Sequence, residues 1–236
     1  MTFENPQFFF NGESLFPALE KMINESQEEI MVSVYTFKND SVGEYFINAL
    51  GAAAKRGVRV RVLFDELGSR HKVKTVLDTL HHAGVEAKAF RPLEGWLLRH
   101  PLATLCRNHT RLVIIDKTLF GLGGMSIARI YEKREDIFML HRSGIIVEQA
   151  RLYYEKLWNL ASRISPPDPL IGPNINHSSL GYTLLKSGPE KINQEIYHWL
   201  NRACKSATNR ITIATPFFFP DHELQRALVG AIMRGI

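Results

Sequence analysis

The sequence predicts an α/β fold built on a mostly parallel or mixed sheet. Short runs of apolar and β-branched residues alternate with amphipathic segments of helical period along most of the 236-residue chain. Glycines stand directly after two of the helical segments, at Gly57 and Gly84, where helices commonly end. Strands that alternate with helices typically form βα units, which place a sheet between helices.

Each predicted element has its own local signal. The first helix shows an apolar face, and the second begins at a capping residue, Asp40 or Ser41. The longest helix carries three aromatic residues that we assign to the core, Tyr153, Tyr154 and Trp158. We predict helices over residues 13–25, 41–57, 72–83, 145–163 and 189–204, and strands over residues 30–37, 58–64, 85–90, 111–115, 119–122, 137–140, 182–185 and 210–215.

A proline-rich stretch divides the chain. Four prolines lie between positions 166 and 173, and such a concentration is typical of a linker. We therefore predict a first domain over residues 1–164, a linker over residues 165–180, and a second domain over residues 181–236.

The second domain begins like the first. Residues 30–40 and residues 211–221 both read as a strand followed by aromatic residues and an aspartate. An Ala-Leu pair and an Arg-Gly pair then follow in the same order in both segments. We interpret this as one complete half and the start of a second half that stops at Ile236, and we expect exposed apolar residues on the last helix.

One short stretch carries most of the chemical information. It places His109, Arg111 and Asp116 in the pattern H-x-R-x4-D, on and around a β-branched run. Residues two apart on an extended segment point to the same face, so the imidazole and the guanidinium lie side by side. A nucleophile or proton carrier beside a fixed cation suits chemistry on a phosphate ester. Gly124 then permits a tight turn that presents the hydroxyl of Ser126 near the same strand ends.

This stretch resembles the phospholipase D superfamily, whose motif is H-x-K-x4-D followed by Gly-Gly-x-Asn or Gly-Ser-x-Asn. Bacterial cardiolipin synthases are the members it resembles most, because Gly-Gly-Met-Ser-Ile-Ala is followed closely by Tyr131. The segment from Val34 to Ser69 resembles the opening strand–helix–strand of the same family. Two residues depart from the family pattern, since Arg111 stands in place of lysine and Ser126 in place of asparagine.

The resemblance implies a phospholipase D-like αβα sandwich and a role for each motif residue. It implies that His109 is the nucleophile and that Arg111, Ser126 and Gly124 bind the phosphate. Asp136 matches an acidic position that orients the catalytic histidine. Asp116 is also a catalytic candidate, although we expect it to brace the strand rather than contact substrate.

The net charge indicates an anionic binding partner but does not identify which one. The net charge is +5, which suits an anionic partner such as a lipid headgroup, a nucleic acid or a phosphate metabolite. Cys106 and Cys204 lie far apart, so we expect both to be reduced, and the histidine and cysteine spacings imply no metal and no cofactor. No apolar run suits a membrane span and no secretory signal is evident, so we expect a cytoplasmic protein at the inner membrane surface.

The residues before His109 suggest how the protein contacts a membrane surface. Residues 91–107 are predicted to form a long loop in which leucines and a tryptophan are interleaved with basic residues. Trp96, Leu97, Arg99 and Arg107 are therefore candidates for contact with lipid. Nucleic-acid binding favours aromatics along a basic groove with fewer leucines.

Three functions remain open from the sequence. The resemblance favours phosphatidyl transfer through a phosphohistidine on a phosphatidylglycerol-like lipid. The alternatives are a phosphodiesterase acting on nucleic acid and a degenerate protein that binds anionic lipid without turnover. Because family enzymes use two such histidines, we expect the isolated chain to be nearly inactive as a monomer, or to act as a homodimer if it is complete.

Overall fold

A computed structural model describes residues 5–70, 72–91, 107–142, 144–161, 184–186, 188, 195–215 and 218–236. The chain falls into two compact units, Met1–Leu184 and Leu185–Ile236, which are described separately below. The predicted linker over residues 165–180 lies outside the described residues. No helix within the described ranges is long and apolar enough to cross a bilayer.

A seven-stranded mixed sheet forms the centre of the first unit. Its strands are β1 (Gln7–Phe9), β2 (Glu29–Val34), β3 (Arg59–Asp65), β4 (Glu86–Phe90), β5 (Leu112–Ile115), β6 (Leu119–Gly123) and β7 (Phe138–Arg142). Their order across the sheet is β1-β7-β6-β5-β2-β3-β4. Only the β2–β3 and β3–β4 pairs are parallel, and the remaining neighbours are antiparallel. The α/β class and the mixed sheet are confirmed. Antiparallel pairs outnumber parallel ones, and the three-residue connection between β5 and β6 is too short for the crossover that a parallel pair needs.

Helices cover both faces of this sheet. They are α1 (Gly12–Glu25), α2 (Ser41–Lys55), α3 (Glu66–Ser69), α4 (Val73–His82) and α5 (Gly144–Ala161). One apolar core joins α1, α2 and α4 to one face, and a second core joins α5 to the other. Tyr153, Tyr154 and Trp158 of α5 are buried in the second core, as the sequence predicts. The result is a three-layered αβα sandwich.

The ends of α2 follow from local chemistry. Asp40 is the cap at its start, since the Asp40 carboxylate accepts hydrogen bonds from the amides of Val42 and Gly43. Gly57 lies just beyond its end with φ at +93°, a conformation that glycine adopts at little steric cost.

The described residues of the second unit form two helices, α6 (Glu195–Ser206) and α7 (His222–Met233). A small core around Cys204, Leu224 and Ala227 holds them together. The described residues 210–215 form no strand, whereas the sequence predicts one, and an extended segment becomes a strand only by pairing. The strand predicted over residues 182–185 lies partly outside the described ranges, and its described residues form no strand.

The end of α7 repeats the end of α2. The main-chain amides of Arg56 and Arg234 each donate to the carbonyl three residues before, at 3.0 Å in both helices. The next residues, Gly57 and Gly235, both have positive φ, at +93° and +81°. Equivalent positions therefore end their helices in the same way.

The two arginines also tie their helices to the preceding helix in the same manner. Nη2 of Arg56 donates to the carbonyl of Ile23 in α1 at 2.8 Å, and Nη2 of Arg234 donates to the carbonyl of Cys204 in α6 at 3.1 Å. The pair α6–α7 is thus a structural counterpart of the pair α1–α2.

Three apolar residues of α7 lie open to solvent, as we expect for the last helix. Val229, Ile232 and Met233 are 58%, 68% and 82% exposed. Residues Leu224, Ala227 and Ala231 on the opposite side of the helix are buried.

Candidate functional site

Five strand ends converge at one edge of the first unit's sheet. The pairings of Ser33 with Leu112 and of Val34 with Phe64 place the carboxyl ends of β2 and β3 beside the amino end of β5. The carboxyl end of β6 and the amino end of β7 reach the same edge, where Gly123 pairs with Phe138. Residues that follow or precede these strands are therefore brought together.

His109, Arg111, Ser126 and Tyr35 form a connected cluster at this edge, which we call the imidazole cluster. Nη1 of Arg111 donates to Nδ1 of His109 at 2.7 Å and to its main-chain oxygen at 3.0 Å. Nε of Arg111 donates to Oγ of Ser126 at 3.1 Å. The ring of Tyr35 lies 4.3 Å from the His109 ring, between centroids, and 5.6 Å from the Arg111 guanidinium carbon. The three polar residues predicted to act together are thus in contact, and Tyr35 packs beside them.

The imidazole is exposed, while its partners are less so. Ser126 is only 2% exposed, and its hydroxyl also accepts a hydrogen bond from the amide of Thr36 at 3.4 Å. Partial burial and then the Arg111 charge lower the pKa of His109 below its ordinary 6.5, and the more distant Asp65 carboxylate opposes this change. His109 is therefore neutral at neutral pH.

A buried polar network supports the segment that leads into His109. The Asp65 carboxylate, fully buried, accepts from Nε of Arg107 at 2.9 Å and from the amide of Asn108 at 2.9 Å. Nδ2 of Asn108 donates to Oγ of Ser33 at 3.1 Å, and that hydroxyl donates to the carbonyl of Thr110 at 3.2 Å. Sequence reasoning did not predict this network, although an aspartate at the end of a buried apolar strand was an available signal.

Arg107 does not serve as a lipid contact in this structure, which corrects the prediction. Its side chain is 8% exposed and forms an ion pair with Asp65, with 2.8 Å between Nη2 and Oδ1. A buried carboxylate at the end of β3 captures the guanidinium because an unpaired buried charge is costly. Trp96, Leu97 and Arg99 lie outside the described residues.

Asp116 lies at the opposite end of β5 from His109, and the four residues of β5 alone span roughly 13 Å at about 3.3 Å per residue. Its carboxylate accepts from the amides of Gln27, Glu28 and Glu29 at 2.8–3.1 Å. These bonds fix the start of β2 against the end of β5. The structure therefore supports the bracing role and places Asp116 too far from the imidazole for a catalytic one.

Gly124 and Asp136 lie against each other rather than against His109. The amide of Gly124 donates to the carbonyl of Ile137 at 2.9 Å, so it is already used in the sheet and is not free to bind a phosphate. The Asp136 carboxylate accepts from the amide of Ile137 at 2.8 Å and occupies the space that a side chain on Gly124 would need. Within the described part of the chain, no hydrogen bond joins Asp136 to His109, and Nδ1 of His109 is bonded to Arg111 instead. These contacts support neither phosphate binding by Gly124 nor orientation of His109 by Asp136, and both roles stay predictions.

No group of three or more histidine, cysteine, aspartate or glutamate residues in the described ranges is arranged to hold a metal ion. Cys204 is a buried free thiol in the small core of the second unit, and Cys106 lies outside the described residues.

A family model and individual relatives with similar sequences indicate the same family. Residues 19–158 match the model described as the PLD-like domain of cardiolipin synthase. Cardiolipin synthase from Clostridium perfringens is 29% identical over 97% of this chain and 50% of its own length. Cardiolipin synthase 1 from Bacillus anthracis is 31% identical over 96% of this chain and 47% of its own. The chain thus spans about half the length of the curated relatives that it matches.

Solved structures share the same fold at lower identity. Nuc from Salmonella typhimurium, a phospholipase D family member, superimposes with a TM-score of 0.53 and 18% identity over 66% of this chain and 96% of Nuc. NucT from Helicobacter pylori gives a TM-score of 0.52 and 15% identity over 66% of this chain and 96% of NucT. The matched domain covers more than half of the chain, and the sandwich and the motif agree with it, so the chain belongs to the family of phospholipase D-like domains typified by cardiolipin synthase.

Proposed function

We propose that this chain supplies the first half of a phosphatidyltransferase, in which His109 forms a phosphohistidine with a phospholipid phosphodiester. The observation that carries the proposal is the imidazole cluster, an exposed neutral imidazole beside a fixed cation at an edge where five strand ends meet. The match to cardiolipin synthases along almost the whole chain supports a phospholipid as the substrate.

The reaction would proceed in two displacements. A ring nitrogen of His109 attacks phosphorus, a nitrogen–phosphorus bond forms, and the phosphorus–oxygen bond to the departing glycerol breaks. The departing oxygen takes a proton from an acid on the far side. The hydroxyl of a second phosphatidylglycerol then attacks phosphorus, gives its proton to the group that served as the acid, and breaks the nitrogen–phosphorus bond. These changes yield cardiolipin and restore both the imidazole and the acid.

Arg111 and Ser126 are the groups proposed to hold the non-bridging oxygens. Among the described residues, Nη2 of Arg111 has no hydrogen-bond partner, so its two N–H groups are available to an anion. The Ser126 hydroxyl accepts two bonds and retains its own proton for donation. Donors placed beside developing negative charge stabilise the transition state.

The acid is proposed to come from a second half, or from a second copy of this chain. No other histidine here stands in an H-x-K or H-x-R pattern followed by aspartate. The correspondence of α6–α7 with α1–α2 supports the second unit as the start of such a half.

We propose that the protein binds its lipid substrate at the cytoplasmic face of the membrane. The net charge of +5 favours an anionic surface, and the interleaved leucine, tryptophan and arginine residues before Arg107 suit insertion at the headgroup level. Phosphatidylglycerol carries the negative charge and the free hydroxyl that the reaction requires.

The test uses the complete gene product with vesicles that contain phosphatidylglycerol. Cardiolipin should form with the natural sequence and fall by at least about 10³-fold in His109→Ala, since loss of a nucleophile is among the most costly changes in an enzyme. His82→Ala, on the exposed end of α4, is the matched control and should leave the rate unchanged. Full turnover by His109→Ala would overturn the assignment.

The same preparations separate the two alternatives. Cleavage of DNA at low salt with no cardiolipin formed would favour a nuclease. Vesicle binding without any product would favour a non-catalytic lipid-binding protein, a reading supported by the occupation of His109 Nδ1 by Arg111.

A further inference from the structure

The bond between Arg111 and His109 determines where the imidazole carries its proton. A guanidinium has only N–H donors and stays protonated in proteins, so it cannot accept a hydrogen bond. Nδ1 of His109, 2.7 Å from Nη1 of Arg111, must therefore be the acceptor. A neutral imidazole with an unprotonated Nδ1 carries its proton on Nε2.

This arrangement leaves the ring without a free lone pair. The Nδ1 lone pair is engaged by Arg111, and Nε2 bears a proton, so neither nitrogen is ready to attack phosphorus. A nucleophilic imidazole needs the opposite state, with Nδ1 relieved of the guanidinium and the lone pair of Nε2 exposed.

We propose that Arg111 holds His109 in an inactive tautomer until a phosphodiester draws the guanidinium away. This inference rests on the proposed function and concerns the regulation of the same site. The anion meets Nη2 first, because this nitrogen has no partner among the described residues. Bidentate binding then recruits Nη1 to a second phosphate oxygen and releases Nδ1.

The shape of arginine makes this control possible. Nε is anchored by Oγ of Ser126 at 3.1 Å, while Nη1 reaches both Nδ1 and the main-chain oxygen of His109. The guanidinium therefore bridges the serine and the imidazole as a rigid fork. A lysine has a single nitrogen on a flexible stem and cannot hold the two side chains in this way.

The charged groups near His109 favour a neutral imidazole in the absence of a bound anion. Arg111 lies against Nδ1, Tyr35 packs on the ring, and the Asp65 carboxylate acts from further away. Burial and Arg111 lower the pKa of the imidazole, and Asp65 raises it by less. When phosphate neutralises Arg111, one proton leaves Nε2 for solvent and one joins Nδ1, so the net charge of the ring does not change.

Nitrogen-15 NMR of the purified chain measures the tautomer directly. His109→Gln assigns the ring signals. Without phosphate, Nδ1 of His109 should have the shift of an unprotonated nitrogen and Nε2 that of a protonated one. In Arg111→Lys the ratio of the two tautomers should change by about tenfold or more, the effect of losing one hydrogen bond to a charged group. Arg129→Lys, an exposed change whose side chain makes no described contact with His109, is the control and should leave the ratio unchanged.

Saturating inorganic phosphate should move wild-type His109 toward the Nδ1-protonated tautomer and have little further effect on Arg111→Lys. A wild-type ring already protonated on Nδ1, or a tautomer ratio unchanged in Arg111→Lys, would overturn the inference. These signals do not depend on turnover. A protein that makes cardiolipin with an Nδ1-protonated resting ring would contradict this inference alone, whereas the predicted tautomer in an inactive complete protein would contradict the proposed function alone.

Discussion

The carboxylate of Asp65 accepts two hydrogen bonds from consecutive residues, one from Nε of Arg107 and one from the main-chain amide of Asn108, each at 2.9 Å. Asp65 ends β3 and Asn108 immediately precedes His109, so one buried group joins the sheet to the segment that carries His109. The position of the imidazole thus depends on a residue that never touches it.

Asp65→Asn should destabilise the protein by about 3 kcal/mol, because it leaves the Arg107 guanidinium buried without its counter-charge. Urea unfolding measures this loss. Glu86→Gln is the control, since its ion pair with Arg59 is exposed and should contribute less than about 1 kcal/mol. Equal losses in the two variants would show that the buried pair has no special structural role.

Asp116 should matter for stability and not for chemistry. Asp116→Ala removes the acceptor for three amides and places alanine at φ +50°, so we expect a loss of about 2–4 kcal/mol. Asp116→Asn keeps an oxygen acceptor and tolerates the left-handed conformation, and it should lose less. The folded fraction of each variant should retain the natural turnover rate within about threefold. A loss near 10³-fold in folded Asp116→Asn would restore a catalytic role.

Gly124 should reject any side chain because the Asp136 carboxylate fills the space. We expect Gly124→Ala to cost about 1–3 kcal/mol in unfolding free energy, as overpacking commonly does. Adding Asp136→Ala should recover part of this loss, and the double-mutant cycle gives the coupling between the two residues. Gly144→Ala meets open space and should be nearly neutral. Strict additivity of the two changes would contradict the close contact.

His109 should make stability depend on pH below about 6.5. Its folded pKa is lowered, so the unfolded chain binds the proton more readily and stability falls as pH drops from 6.5 through the folded pKa. The natural protein should therefore lose more unfolding free energy than His109→Gln between about pH 7.5 and about pH 5. Arg111→Gln should reduce this difference, because it removes a cause of the lowered pKa. Identical pH profiles for the natural protein and His109→Gln would refute the shift.

Much of the fold follows from local sequence signals. The cap at Asp40 and the glycine at Gly57 bound α2 within two residues of the prediction, because caps depend on neighbouring residues alone. The strand predicted over residues 210–215 is not formed by the described residues, because pairing is decided by other parts of the chain. The short strand β1 was missed for the same reason, since its three residues are strand only through β7.

The candidate site was predictable in its members but not in its contacts. The H-x-R spacing brings His109 and Arg111 to one face, and the turn after β6 brings Ser126 to them. Spacing does not show that Arg111 donates to Nδ1, or that Arg107 is captured by a carboxylate 42 positions earlier in the chain. These contacts depend on side-chain reach and on which buried charge needs a partner.

The most direct test of the central claim is to trap the intermediate on His109. The complete gene product is mixed with phosphatidylglycerol, quenched under alkaline conditions that preserve phosphohistidine, and digested for peptide mass spectrometry. The account predicts a phosphatidyl adduct on the peptide that contains His109, formed at the rate of turnover and absent from His109→Gln. Cardiolipin production with no adduct on His109, or with the adduct on another residue of this chain, would contradict it.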